Sequence, residues 1–124
     1  MSPRRSPLAE QELEIMKVVW DLENATVRDV YETLRKRRKV AYTTVMTMMK
    51  ILERKGHLKK SEDEKAFVYR PTQPKQQVIS GMVREFLDRV FNGSAQPLLL
   101  HLVQDEALTP EELAEIARLA RRKL

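Results

Sequence analysis

Apolar positions recur along this chain with two different periods, and the change of period divides it into elements. In residues 8–22, Leu13, Ile15, Met16, Val19, Trp20 and Leu22 form the wide apolar face of a first helix, with Trp20 expected in the core. Asn24 and Ala25 break that pattern. Thr26 suits a helix N-cap and Asp29 the third helical position, a variant of the capping box. Val27, Val30, Tyr31 and Leu34 then repeat at i, i+3, i+4, i+7. This second helix is expected to run into the cationic stretch RKRRK at residues 35–39, with Val40 and Ala41 as a short link to the next element.

The stretch AYTTVMTMMKILERKGH, residues 41–57, reads as a third helix with two incompatible faces. Val45, Met48, Met49 and Leu52 form one apolar stripe. Thr43, Thr47, Lys50 and Arg54, at i, i+4, i+7, i+11, point the other way. Glu53, near its edge, is the one acidic residue close to that outer face, and Gly56 is a C-terminal stop. Short hydroxyl side chains let a helix backbone approach another surface, and threonine offers both a donor to phosphate and a methyl to thymine. The competing reading is an ordinary amphipathic helix with a solvated outer face. Paired with the preceding helix, the stretch forms a helix-turn-helix pattern, although the link is not the short glycine-containing turn.

After Gly56 the period becomes two. Residues 57–60 and 65–70 read as strands, with Phe67 and Tyr69 on one side and Ala66, Val68 and Arg70 on the other; residues 61–64 are a polar loop and Pro71 an end. A hairpin directly after a helix-turn-helix is a wing, so the unit is expected to be a winged helix. Lys59, Lys60 and Lys65 are candidates to hold phosphates from it, opposed by Glu62, Asp63 and Glu64. Past a linker at residues 72–75, a long helix spans residues 75–91. Its band comprises Val78, Ile79, Met82, Val83, Phe86, Leu87, Val90 and Phe91, and Asn92-Gly93-Ser94 stops it. A short apolar segment with Leu99 and Leu102 follows. A last helix then opens with Thr109 as N-cap, Pro110 at the first position and Glu112 closing a capping box, with Leu113 and Ile116 on one face.

The expected fold class is therefore mainly α with a small β-hairpin. A winged helix-turn-helix DNA-binding domain (residues 1–73) precedes a C-terminal three-helix dimerisation region (residues 74–124). About fifty residues with so much apolar helix surface cannot hide it alone, and a second copy of the chain is the economical partner. The competing reading folds these helices back onto the winged helix as one monomeric core.

Charge sharpens this division. The 124-residue chain carries a formal net charge of +5 and a pI near 9.6. Through Gln73 there are 16 basic residues against 11 acidic, and from Pro74 onward 7 against 7, so the whole excess lies in the first domain. The run at residues 35–39, with Arg37, Arg38 and Lys39, is a candidate phosphate contact, as are Arg28 and Arg54; Arg4 and Arg5 lie in a short tail and read as solvated. With no cysteine there is neither a disulfide framework nor a thiolate metal site. His57 and His101 are far apart in sequence without ligand partners, and no glycine-rich phosphate loop is present, so neither an enzyme, a metal nor a cofactor is expected. No apolar run long enough to cross a membrane and no signal core occur, so the cytoplasm is the expected location. A winged helix serving protein contact or RNA is the alternative. The threonine face favours duplex DNA, whose major groove admits a helix, whereas that of A-form RNA is too narrow.

The residues also carry a resemblance. LEIM at residues 13–16 with Trp20, ATVRDV at 25–30, AYTTVMTM at 41–48, LERKG at 52–56, YRP at 69–71, FNGS at 91–94 and LTPEEL at 108–113 resemble the penicillinase-repressor family, the BlaI/MecI/CopY type of bacterial transcriptional regulator. The resemblance covers nearly the whole chain from Leu8. It implies a homodimer on a palindromic double-stranded DNA operator, blocking transcription. It implies Thr43, Thr44, Met46, Thr47 and Lys50 as groove-facing residues, with Tyr42 bracing the helix start or touching phosphate. It further implies an inducing partner, a sensor protease or another factor. Members answering β-lactams are cleaved in the dimerisation region, in the best-known case at an Asn-Phe bond; here the order is Phe91-Asn92. Copper-responsive members carry a cysteine cluster, which this chain lacks, and many relatives have a glycine where Glu64 stands.

Overall fold

The computed structural model describes residues 8–63 and 66–123. Arg4, Arg5, Glu64 and Lys65, and with them the expectations for the tail and the wing tip, lie outside the described residues. In chain order the elements are α1 (Glu10–Leu22), α2 (Val27–Leu34), α3 (Tyr42–Arg54), β1 (Leu58–Asp63), β2 (Ala66–Pro71), α4 (Lys75–Phe91), α5 (Ala95–Gln104) and α6 (Pro110–Lys123). The chain separates into two compact units, one ending at Val78 and one beginning at Ile79, so the division falls inside α4.

The first unit is built on helix ends that the sequence satisfies locally. At α2 the Asp29 amide donates to Thr26 Oγ1 (3.1 Å) while the Asp29 carboxylate accepts from the Thr26 amide (2.9 Å), the reciprocal box expected. Half of such a box starts α1: the Glu12 carboxylate accepts from the Ala9 amide at 2.8 Å, and Ala9 has no acceptor to return. At the end of α3, Gly56 takes φ 89°. The His57 amide donates to the Leu52 carbonyl (2.9 Å) and the Gly56 amide to that of Glu53 (3.0 Å), a Schellman closure.

These ends aim the apolar stripes at one another. Ile15, Met16, Val18 and Val19 of α1, Val30 and Leu34 of α2, and Val45, Met49 and Leu52 of α3 are buried together with Ala25, Leu58 and Tyr69. Trp20, expected in the core, is instead half-buried at its margin, where its indole N–H donates to the Gln73 carbonyl at 3.1 Å. An indole carries a polar atom that needs a partner, and the core margin supplies one.

Two elements differ from expectation. Helix α2 stops at Leu34. The cations that follow form a turn in which the Arg37 and Arg38 amides both donate to the Leu34 carbonyl (2.9 and 3.1 Å). Mutual repulsion of five adjacent cations disfavours carrying the helix further. The hairpin is also longer than its apolar pattern: β1 and β2 pair antiparallel from Leu58↔Pro71 to Asp63↔Ala66, so Ser61 and Glu62 are strand rather than loop. Pairing with Phe67 and Val68 overrides their weak intrinsic preference. Tyr69 adds a bridge to Ala25, exchanging two backbone hydrogen bonds of 2.8 and 3.0 Å, which anchors the wing to the segment between α1 and α2. Phe67 and Tyr69 share a strand face yet are 52% and 2% exposed. Two residues, about 7 Å along a strand, carry Phe67 beyond the edge of the core.

In the second unit, α6 opens with the expected box: the Glu112 amide donates to Thr109 Oγ1 (3.0 Å) and the Glu112 carboxylate accepts from the Thr109 amide (2.9 Å). The turn after α4 uses two left-handed residues, Asn92 (φ 51°) and Gly93 (φ 83°), the stop expected there. Phe91 makes ring contacts with Phe86 and with His101, each at 5.8 Å between centroids. Among the described residues from Lys75 onward, none is buried.

Candidate nucleic-acid interface

Helix α3 divides as its spacing requires. Val45, Met49 and Leu52 are buried and Met48 packs against them, while Thr43, Thr47, Lys50 and Arg54 are exposed. At about 100° per residue these four fall within an arc of about 60°, so they form one strip along the helix. Thr44, also exposed, stands about 100° round from Thr43, and Met46 is half-buried on the opposite shoulder. Of the five base-reading candidates, Thr43, Thr47 and Lys50 share the strip, and Thr44 and Met46 flank it.

The start of α3 is open. Its N-cap, Ala41, makes no side-chain hydrogen bond, and no acidic residue lies in the first turn. The early amides of a helix are unsatisfied from within it and lie at the positive end of its dipole, a combination that suits a phosphate oxygen. Tyr42 stands beside them. Its ring meets that of Tyr31 edge-on at 5.4 Å, and the Arg28 guanidinium lies 5.9 Å from its centroid. Arg28 is also 3.7 Å from Glu32.

The cations around α3 are not equivalent. Arg35 pairs with Glu32 at 2.9 Å and lies over the Tyr31 ring. Arg38 is clamped by Glu14 of α1: Nη2 donates to Oε1 at 2.7 Å, and Nε donates to both carboxylate oxygens at 3.2 Å. The bidentate guanidinium holds the Glu14 carboxyl below its ordinary range. Arg37 and Lys39 are exposed and make no ion pair with a described residue. On the wing, Lys59 is exposed, whereas Lys60 lies 4.4 Å over the Phe67 ring and 3.8 Å from Glu53. Lys65 lies outside the described residues.

Sequence reasoning missed Glu12, Glu14, Tyr31 and Lys55. Lys55 caps the C-terminus of α3, and its Nζ donates at 2.9 Å to the Glu12 carboxylate, whose side chain is 6% exposed. Burial pushes the Glu12 carboxyl up, but the Ala9 amide and the Lys55 ammonium outweigh it and leave the pKa lowered. A glutamate shortly before an apolar run was the available signal for Glu12. Nothing in the sequence links Glu14 to Arg38, 24 residues away.

The dimerisation candidates lie on the second unit's helices and the start of α4. Val83, Phe86, Val90 and Ile116 are exposed, and Val78, Ile79, Met82, Leu87, Leu99, Leu102 and Leu113 are half-buried. Among the described residues there is no cluster of potential metal ligands, and no helix is long and apolar enough to cross a membrane.

The family model described as penicillinase repressor matches residues 8–122. The chain belongs to the penicillinase-repressor family. It is 29% identical over 109 residues to the penicillinase repressor of Bacillus licheniformis, covering 88% of this chain and 85% of that one. It is 34% identical over 99 residues to the transcriptional regulator BlaI of Mycobacterium tuberculosis, covering 78% and 72%. The solution structure of Bacillus licheniformis BlaI in its monomeric form, in complex with the blaP half-operator, matches 59% of this chain and 89% of that one, at a TM-score of 0.52 and 29% identity. Penicillinase-repressor membership accounts for the mostly helical architecture with its two-stranded wing, and the relatives are named as repressors and regulators rather than enzymes.

Proposed function

We propose that this chain is a sequence-specific transcriptional repressor that binds a palindromic double-stranded DNA operator as a homodimer. The observation that carries the reading is the uncovered strip Thr43, Thr47, Lys50 and Arg54 on a helix whose opposite stripe is buried in the winged-helix core. In this reading α3 enters the major groove. Thr43, Thr44, Met46, Thr47 and Lys50 meet base edges, and Tyr42 with the open amides at the helix start meets a phosphate. Arg28, Arg37, Lys39, Arg54 and Lys59 neutralise the backbone without reading sequence. By charge Arg38 and Lys60 would both join this set, but the Arg38 guanidinium is taken up by Glu14, and the ion pair of Lys60 with Glu53 makes it a weaker member; Lys65 joins it on sequence alone. The relative bound to a half-operator supports the choice of ligand.

Self-association through α4–α6 supplies the second reading helix. A two-fold dimer sets two copies of α3 in major grooves about 34 Å apart or a multiple of it. A duplex-DNA reader of this kind works in the cytoplasm. Release from the operator calls for an inducing partner, a sensor protease or another factor, acting without the Asn-Phe bond that this chain lacks.

Selection of duplexes from a random library by the full-length protein, followed by footprinting and by competition with structured RNA and random duplex at fixed salt, tests the reading. The expected result is a dyad-symmetric site bound on the order of a thousandfold or more above random duplex. Equal binding of selected duplex, random duplex and RNA at moderate ionic strength overturns it.

A further inference from the structure

Ion pairs to α1 flank helix α3, one in the turn before it and one at its C-cap. Three residues before the N-cap Ala41, Arg38 closes on Glu14, with donor–acceptor distances of 2.7 and 3.2 Å. At the C-cap, Lys55 closes on Glu12 at 2.9 Å. The two carboxylates stand two residues apart on α1, so at about 100° per residue they leave that helix in nearly opposite directions. One helix thus holds both the turn that leads into the 13-residue α3 and the C-cap that ends it.

We propose that Glu12 and Glu14 are positioning residues for operator reading, fixing where along its axis α3 presents Thr43, Thr47 and Lys50. The proposal rests on the reading of α3 as the groove-entering helix. The need for such a mount lies in the chemistry of the buried face. Val45, Met49 and Leu52 share one buried core with Met16 and its neighbours on α1, and Met48 packs against that core. Apolar contact is non-directional, and methionine, with its flexible thioether, adapts to small displacements and specifies position poorly. Base contacts do not tolerate such displacement, because a hydrogen bond weakens steeply once its distance and angle leave a narrow range. The ion pairs supply the direction that the apolar seam lacks. The bidentate guanidinium fixes an orientation at one end, and the Glu12 carboxylate, itself held by the Ala9 amide, fixes a point at the other. Arg38, although it lies within the cationic run, therefore acts through Glu14 rather than on a phosphate.

The test uses the full-length chain, a duplex that the wild-type protein selects from a random library, and a scrambled duplex of the same length at fixed salt. Glu14→Gln is expected to lower the selected-to-scrambled affinity ratio about tenfold, the worth of one well-placed base contact. Scrambled-duplex binding is expected to stay level or tighten, because the chain gains positive charge. Arg38→Gln is expected to lower the ratio alike while leaving the slope of log K against log salt unchanged. The exchange Glu14→Arg with Arg38→Glu is expected to restore the ratio. A ratio unchanged in both single variants overturns the proposal, whatever their melting temperatures. So does a salt slope that falls by about one in Arg38→Gln, the mark of a lost phosphate contact. A wild-type protein that selects no sequence overturns the functional reading itself, a failure separate from that of the mount.

Discussion

Thr47 and Lys39 are both exposed and both belong to the proposed interface, yet they belong to different kinds of contact. Thr47 lies mid-strip on α3, where the proposed function sets its hydroxyl and methyl against base edges. Lys39 lies in the turn before it, a point charge without an ion-pair partner among the described residues. Thr47→Ala is expected to cost about 1–3 kcal/mol on the selected duplex and to relax preference at one base pair. Lys39→Ala is expected to weaken every duplex alike and to flatten the salt slope by about one. Binding isotherms at several salt concentrations separate the two, and an identical, sequence-independent loss in both contradicts this division. Glu12 gives a different prediction, in stability. Its carboxyl is buried and its pKa is lowered from 4.5, burial opposing the stronger effect of the Ala9 amide and Lys55. A carboxyl depressed in the folded state contributes in full above its unfolded value and loses that contribution as pH falls through the folded one. Glu12→Gln is therefore expected to lower stability by roughly 2 kcal/mol at neutral pH. In thermal unfolding against pH the gap to the wild type narrows below about 4.5. Glu14, similarly depressed but 29% exposed, contributes less because solvent screens it. At this scale the reading strip was legible from spacing alone, since exposure follows directly from helical period. The ion pairs were not legible, because which carboxylate meets which cation is decided by how α1 crosses α3.

Elements were legible where their ends are written in short-range chemistry. Thr26 with Asp29 and Thr109 with Glu112 announce α2 and α6, and both boxes form with all four hydrogen bonds. Gly56 and Gly93 stop α3 and α4 with positive φ. Thr26→Ala is expected to cost about 1 kcal/mol, and so to lower the melting temperature of the winged-helix unit by about 4–8 °C. An unchanged melting temperature implies that the Asp29 carboxylate on the Thr26 amide suffices alone. Boundaries without such a signal fall elsewhere than the apolar pattern predicts. Helix α2 ends at Leu34 rather than in the cationic run, because nothing in RKRRK caps it and like charges accumulate. Strand β1 reaches Asp63 because β2 offers a partner whose residues are good strand formers. The isolated bridge of Ala25 with Tyr69 has no sequence signal at all: a lone residue exchanging two hydrogen bonds has no period to read.

For the whole molecule, the two units differ in what they can hide. The first buries a contiguous core drawn from three helices and the wing. In the second, Val83, Phe86, Val90, Leu100, Ile116 and Leu119 remain exposed, and no described residue from Lys75 onward is buried. Large apolar side chains left in water forgo about 1.5–3 kcal/mol each, and a helical unit of this size cannot recover that alone. In the proposed function a second copy covering the same face recovers it, and isologous pairing would bring two copies of α3 to one operator. Phe86 is the residue on which to test this, since an aromatic exposed beside a ring contact with Phe91 is the kind of side chain that anchors an interface. Phe86→Asp is expected to weaken self-association by about 2–4 kcal/mol, converting a dimer to monomer at micromolar concentration in sedimentation equilibrium. The winged-helix unit should keep its melting transition, because its core does not include Phe86. Binding to a single half-site should then survive, while affinity for the full palindrome falls on the order of a hundredfold or more, as the second half-site loses the high local concentration that dimerisation gives it. Full-palindrome affinity that stays intact in a monomeric variant shows that the C-terminal helices serve something other than joining two readers.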